Sequence, residues 1–137
     1  MEIKENTEIS VRFQEVDSLG IVWHGHYISY FEEGRENFGI KHKISYLDAK
    51  SNGYATPIVE SYCKHKLPLK YGDTVKIETT FVDTPANKMI FTYKIFNKEG
   101  NVVCTGKTIQ VFLNENGELV LNMPVFIENW KRKVGLL

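Results

Sequence analysis

The chain has only two cysteines and four prolines, and no excess of either charge. Each scarcity removes a class of protein. Cys63 and Cys104 are far apart in sequence and form no CxxC pair, so neither a disulfide scaffold nor a thioredoxin-like redox motif is indicated. They are expected as reduced, semi-buried thiols of a cytoplasmic protein. Prolines and glycines do not cluster into a linker, and no internal repeat or low-complexity tract interrupts the chain. Seventeen basic residues balance seventeen acidic ones, so the global positive field that drives non-specific nucleic-acid binding is missing. No apolar run approaches the ~18 residues needed to span a bilayer, and the charged start Met1–Asn6 leads into no secretory h-region. Neither G-x-S-x-G, G-x-G-x-x-G nor G-x-x-x-x-G-K-[ST] occurs, which argues against a serine hydrolase elbow and against nucleotide folds.

What is present fits one domain of 137 residues with a core of its own, since 42% of the residues are hydrophobic and 12% aromatic. Residues 8–13 alternate apolar and polar as a half-buried strand does, and Val16-Asp17-Ser18-Leu19-Gly20 reads as a turn. From about His24 the period changes: Ile28, Phe31, Arg35 and Phe38 form the stripe of a long helix, with Gly39 as a plausible stop. A short helix is expected over 45–50, then strands over 54–66, 74–82, 88–97 and 102–113. Asn116-Gly117 marks a hairpin turn, and Pro124 opens a C-terminal helix ending in Lys131-Arg132-Lys133. The order is strand, long helix, then antiparallel strands: an α+β layout in which one helix must be wrapped by a curled sheet. The edges of such a sheet make a homo-oligomer, dimer or tetramer, the expected state.

The informative stretch is Val11–Arg35, containing Asp17, Gly20, Ile21-Val22, Trp23-His24, Tyr27 and Arg35. A carboxylate on a turn before a helix N-terminus sits beside unpaired backbone N–H groups, which can stabilise a negative charge developing on a bound ligand's oxygen. Gly20 lets backbone come close to a ligand. Asp and Gly are also ordinary turn residues, and that reading alone would explain their type. The stretch resembles the 4-hydroxybenzoyl-CoA thioesterase family, with Thr56-Pro57-Ile58-Val59 and Tyr71-Gly72-Asp73 fitting later parts of the pattern. The resemblance implies a hotdog fold and hydrolysis of an acyl-CoA thioester without a cofactor. It also implies that Asp17 acts as nucleophile or general base, with backbone N–H groups near His24 polarising the carbonyl. The His24 side chain either hydrogen-bonds there or packs. Gly20, Val22, Trp23, Tyr27, Pro57, Ile58 and Val59 are the implied substrate contacts. Lys88, after the turn Thr84-Pro85-Ala86-Asn87, is the candidate for a coenzyme A phosphate, or else a solvated edge lysine.

His24 and His26 form an H-x-H pair with no obvious third ligand, so no metal site is expected. The thiols show no catalytic histidine partner in the sequence. Arg35 is expected to pair with Glu32 or Glu33. Glu15, in the same loop as Asp17, is expected to be dispensable. Two other functions stay open: a hotdog hydratase or dehydratase, and a non-catalytic acyl-CoA-binding module.

Overall fold

The computed structural model describes residues 2–137. In chain order the elements are β1 (Ile3–Ser10), a 3-10 turn (Phe13–Glu15), α1 (His26–His42), α2 (Tyr46–Ser51), β2 (Ile58–His65), β3 (Thr74–Val82), β4 (Met89–Phe96), β5 (Val102–Gln110) and α3 (Val125–Lys133). The five strands form one antiparallel sheet in the order β1-β3-β4-β5-β2, with α1 packed on its concave face. This is the hotdog arrangement that the resemblance implies. Among the described residues no helix is long and apolar enough to cross a membrane.

Alternation along the strands decides which residues meet α1. Val75, Ile77, Thr79 and Phe81 of β3 and Phe91, Tyr93 and Ile95 of β4 are buried, and their neighbours face outward. Phe31 stacks on Tyr93 with ring centroids 4.5 Å apart, and Phe38 meets Phe91 edge-on at 5.2 Å. Two glycines let helix and sheet approach. Gly34 lies over Ile77 and Thr79, and Gly106 lies under Phe31, whose ring occupies the place a Cβ would take. α3 closes the far end of α1: Trp130 packs against Phe38 and Phe81, and its Nε1–H donates to His42 Nδ1 at 3.2 Å.

Several boundaries differ from those the sequence predicts. β2 begins at Ile58 rather than at 54, β5 ends at Gln110 rather than at 113, and two further differences have a local cause. The first strand is Ile3–Ser10 rather than 8–13. Its alternation begins earlier, and after Val11 the chain turns away because the Glu15 carboxylate takes the Arg12 N–H at 2.8 Å. Gly39 does not end α1. It is buried within the helix where a Cβ would come 2.8 Å from Ser45 Cα, and the helix runs on to His42 and stops at Lys43, in the left-handed region at φ 59°.

Candidate active site

Between β1 and α1 the chain makes a small hairpin. Val16 and Val22 form an antiparallel bridge, and the Trp23 N–H donates to Glu15 O at 2.9 Å. The tip is closed by Asp17 N–H to Ile21 O and Gly20 N–H to Asp17 O, both 2.9 Å. Asp17 Oδ1 accepts from Leu19 N–H at 2.8 Å, the self-made turn that Asp favours. Gly20 sits at φ 79° with nothing within 4 Å of where a Cβ would be, so the backbone conformation demands glycine and the space above is open. Asp17 is half-buried, and among the described residues its Oδ2 has no hydrogen-bond partner.

The second arm of the hairpin runs into α1. The N–H groups of Val22 and Trp23 are used by Leu69 O and Glu15 O, and those of His26 and Tyr27 turn back to Trp23 O and His24 O. That leaves the His24 and Gly25 N–H groups, among the described residues, without an acceptor at the mouth of the helix. The Trp23 ring lies 5.0 Å from His24 and 5.4 Å from His26, and it fills the space a side chain at position 25 would need. Glu15 anchors the assembly from below. Its carboxylate is buried and accepts from both the Arg12 N–H and the Tyr30 O–H, the latter at 3.0 Å. It therefore ties the loop to α1 and is not the dispensable neighbour that the sequence suggests. Burial, and after it the Glu15 contact, pushes the Tyr30 phenol well above its ordinary range, so it donates to Glu15 throughout neutral pH.

Behind the first turn of α1 lies a layer that the sequence did not reveal. His65 packs its ring on Tyr27 at 4.8 Å and stands 6.3 Å from His24. Cys63 and Cys104 adjoin it, with sulfurs 3.3 Å apart and Cys63 Sγ 3.9 Å from His65 Nδ1. Tyr27 is pushed up to about 12, first by burial and then by the neighbouring thiols, and stays a neutral phenol. The signal was present: in a strand over 54–66, Cys63 and His65 share a face.

The expected site residues fall into two groups. Asp17, Gly20, Trp23 and His24 are exposed or half-buried around the hairpin, whereas Val22 and Tyr27 are core side chains, 3% and 4% exposed. Pro57, Ile58, Val59 and Lys88 lie elsewhere. Ser10 pairs with Thr74 at the hairpin end of the sheet, while Val82 pairs with Ile90, and Ile58 and Met89 both pair with Gln110, at the other. The eight steps of β3 separate the two ends by roughly 26 Å at ~3.3 Å per residue. Within one chain Lys88 therefore does not reach the Asp17 loop, and neither does Pro57–Val59. Arg35 pairs weakly with Glu32 at 3.9 Å and donates to the Tyr93 hydroxyl at 3.3 Å; Glu33 instead takes Arg12. Trp23 packs against both rings of the H-x-H pair.

Comparison with known proteins gives the same arrangement. The thioesterase-like superfamily matches residues 11–131. The protein named 1,4-dihydroxy-2-naphthoyl-CoA hydrolase in Prochlorococcus marinus is 30% identical over 128 residues, covering 88% of this chain and 83% of its own. YneP of Bacillus subtilis, whose acyl-CoA thioesterase name is provisional, is 34% identical over 95 residues, 69% of each chain. The crystal structure of a DHNA-CoA thioesterase from Staphylococcus aureus superposes with a TM-score of 0.86 at 26% identity, covering 97% of this chain and 92% of that one.

Proposed function

The chain belongs to the thioesterase-like superfamily, and from that premise we propose that it hydrolyses acyl-CoA thioesters to free acid and coenzyme A at the Asp17 hairpin. The observation that carries this reading is the pair of N–H groups, His24 and Gly25, that have no acceptor among the described residues where the hairpin's second arm runs into α1. A thioester carbonyl oxygen seated on them gains stabilisation as it becomes an oxyanion, and the helix dipole adds to it. Asp17 Oδ2 then acts in one of two ways. As general base it takes a proton from water; the new C–O bond forms, the C–S bond breaks, and the proton goes to the departing sulfur. As nucleophile it forms a C–O bond to the acyl carbon as the C–S bond breaks and coenzyme A leaves as thiolate. Water then cleaves the resulting anhydride to free acid and regenerates the carboxylate, and the proton it gives up goes to the thiolate. Gly20 keeps the approach open. The His24 ring lies 5.0 Å from that of Trp23, and in this reading its backbone N–H carries the chemistry.

The same reading includes a homodimer. Of the two sheet edges, β1 is rich in charge (Lys4, Glu5, Glu8), while β2 exposes Ile58, Val59 and Tyr62. Two-fold pairing of β2 with its copy is antiparallel, so Ile58 of one subunit comes to the His65 end of the other. That arrangement brings Pro57, Ile58 and Val59, with Lys88 two strands further in, towards the other subunit's hairpin.

Activity is tested with a panel of aromatic, short and long aliphatic acyl-CoAs, following free thiol. The panel includes 1,4-dihydroxy-2-naphthoyl-CoA because two relatives carry that name. Thiol release from at least one member is expected. Hydration of an enoyl-CoA without thiol release would replace hydrolysis by the hydratase reading, and binding without turnover by the binding-module reading.

A further inference from the structure

We propose that Cys63, His65 and Cys104 form a binding site for one thiophilic divalent cation of the zinc class, with a fourth position open to water on the His24 side. The three residues come from two strands. Cys63 and His65 are alternate residues of the edge strand β2, and Cys104 of β5 is the register partner of His65. Their donor atoms lie within 4.8 Å of one another, with separations of 3.3 Å between sulfurs and 3.9 Å from Cys63 Sγ to His65 Nδ1. A tetrahedral zinc with bonds of about 2.3 Å to sulfur and 2.0–2.1 Å to nitrogen needs donors about 3.5–3.8 Å apart. Shifts of a few tenths of an ångström at the sulfurs and somewhat more at the ring meet that. Two thiolates and a neutral imidazole balance the charge of the ion, and the two thiol protons pass to solvent on binding.

A disulfide is the rival use of the same sulfurs, and the register disfavours it. Cys63 faces Gly106 and Cys104 faces His65, so the cysteines are diagonal neighbours. Diagonal Cα atoms stand about 7–8 Å apart, beyond the usual 4.4–6.8 Å of a disulfide. Burial also pushes both thiols up, Cys104 the further, which slows attack on oxidants. A bound cation reverses that shift, because a coordinated thiol loses its proton. Tyr27 closes one side of the cluster through its contact with His65. The site is independent of the role given to Asp17.

The test is direct titration of the reduced protein with Zn²⁺ against a chromogenic chelator, and with Co²⁺ followed by absorption. One equivalent per chain is expected, with sulfur-to-cobalt charge transfer and the strong visible bands of a tetrahedral site. Cys63→Ser and His65→Ala lie on the edge strand and should fold. Each should weaken uptake by at least about tenfold, the loss common even for outer-shell partners, with an unchanged circular dichroism spectrum. Absence of stoichiometric uptake, a cobalt spectrum without sulfur charge transfer, or equal affinity in Cys63→Ser would overturn the site. So would isolation of a Cys63–Cys104 disulfide from protein kept under a mild thiol reductant.

Discussion

Two carboxylates two residues apart have opposite environments, and this separates their effects. Asp17 is half-buried at the tip of the hairpin and spends one oxygen on its own turn. Asp17→Asn keeps the Oδ1 acceptor for Leu19 but removes charge and basicity. kcat for thiol release should fall by about 10²–10⁴-fold with the unfolding midpoint nearly unchanged. Near-normal turnover would exclude Asp17 as nucleophile or base. Glu15 is buried and holds the Arg12 N–H and the Tyr30 O–H together. Both donors converge on one carboxylate oxygen, so in Glu15→Gln the amide oxygen can replace it. The charge-assisted bonds nevertheless become neutral ones, and the buried NH₂ is left without an acceptor among the described residues. A loss of about 1–3 kcal/mol is expected in urea unfolding. Activity should fall in proportion to the disturbed hairpin, with KM and kcat both affected. An unchanged unfolding midpoint would show that the buried contacts carry no energy. Burial of Glu15 is not visible in a Gln-Glu-Val string, because it depends on Tyr30 arriving from the next element.

At the scale of elements, helix and sheet meet through residues that have little side chain to offer. Gly106 is the register partner of Tyr93, and the Phe31 ring stacks on Tyr93 across the place a Cβ at 106 would occupy. Gly106→Ala forces that ring or the strand to move, against Tyr62 O at 3.0 Å on the other side. Overpacking of this kind costs about 1–3 kcal/mol, so a clear drop in thermal midpoint is expected without loss of fold. A midpoint equal to wild type would mean that α1 sits further from β5. The helical stripe Ile28, Phe31, Arg35, Phe38 and the alternation of β3 were legible because each is a local period. The end of α1 was not: Gly39 looks like a stop signal, and only the packing of Ser45 against it explains why it is glycine. Within the site, the Asp17-to-Gly20 turn was readable from turn chemistry. The His65, Cys63 and Cys104 layer needed the β2–β5 register, which no local pattern contains. The same limit explains why residues 57–59 and Asp17 could be placed in one site without a sign that a sheet's length separates them.

A site shared between two subunits, as proposed above, would account for that separation at the scale of the whole molecule. If each site takes its hairpin from one subunit and its Pro57–Val59 and Lys88 wall from the other, a lone chain is incomplete, and light scattering at micromolar concentration should find a dimer or larger. Charging the exposed apolar edge, as in Val59→Lys with Tyr62→Lys, should release monomers and remove activity although the Asp17 hairpin is untouched. A monomeric wild type, or an active monomeric variant, would refute the shared site. Mixing supplies the sharper measurement. Asp17→Asn lacks the reacting group, and Ile58→Asp lacks the opposite wall, so each homodimer should be inactive. Subunits exchanged at equal amounts give half heterodimers, each with one site carrying both defects and one carrying neither. Activity should therefore recover to about a quarter of the wild-type rate, as two-fold symmetry requires. If the two lesions belonged to a site within one chain, no mixing ratio would restore turnover. Recovery thus reports on which chain supplies each wall, and it does so independently of whether Asp17 attacks the carbonyl or activates water.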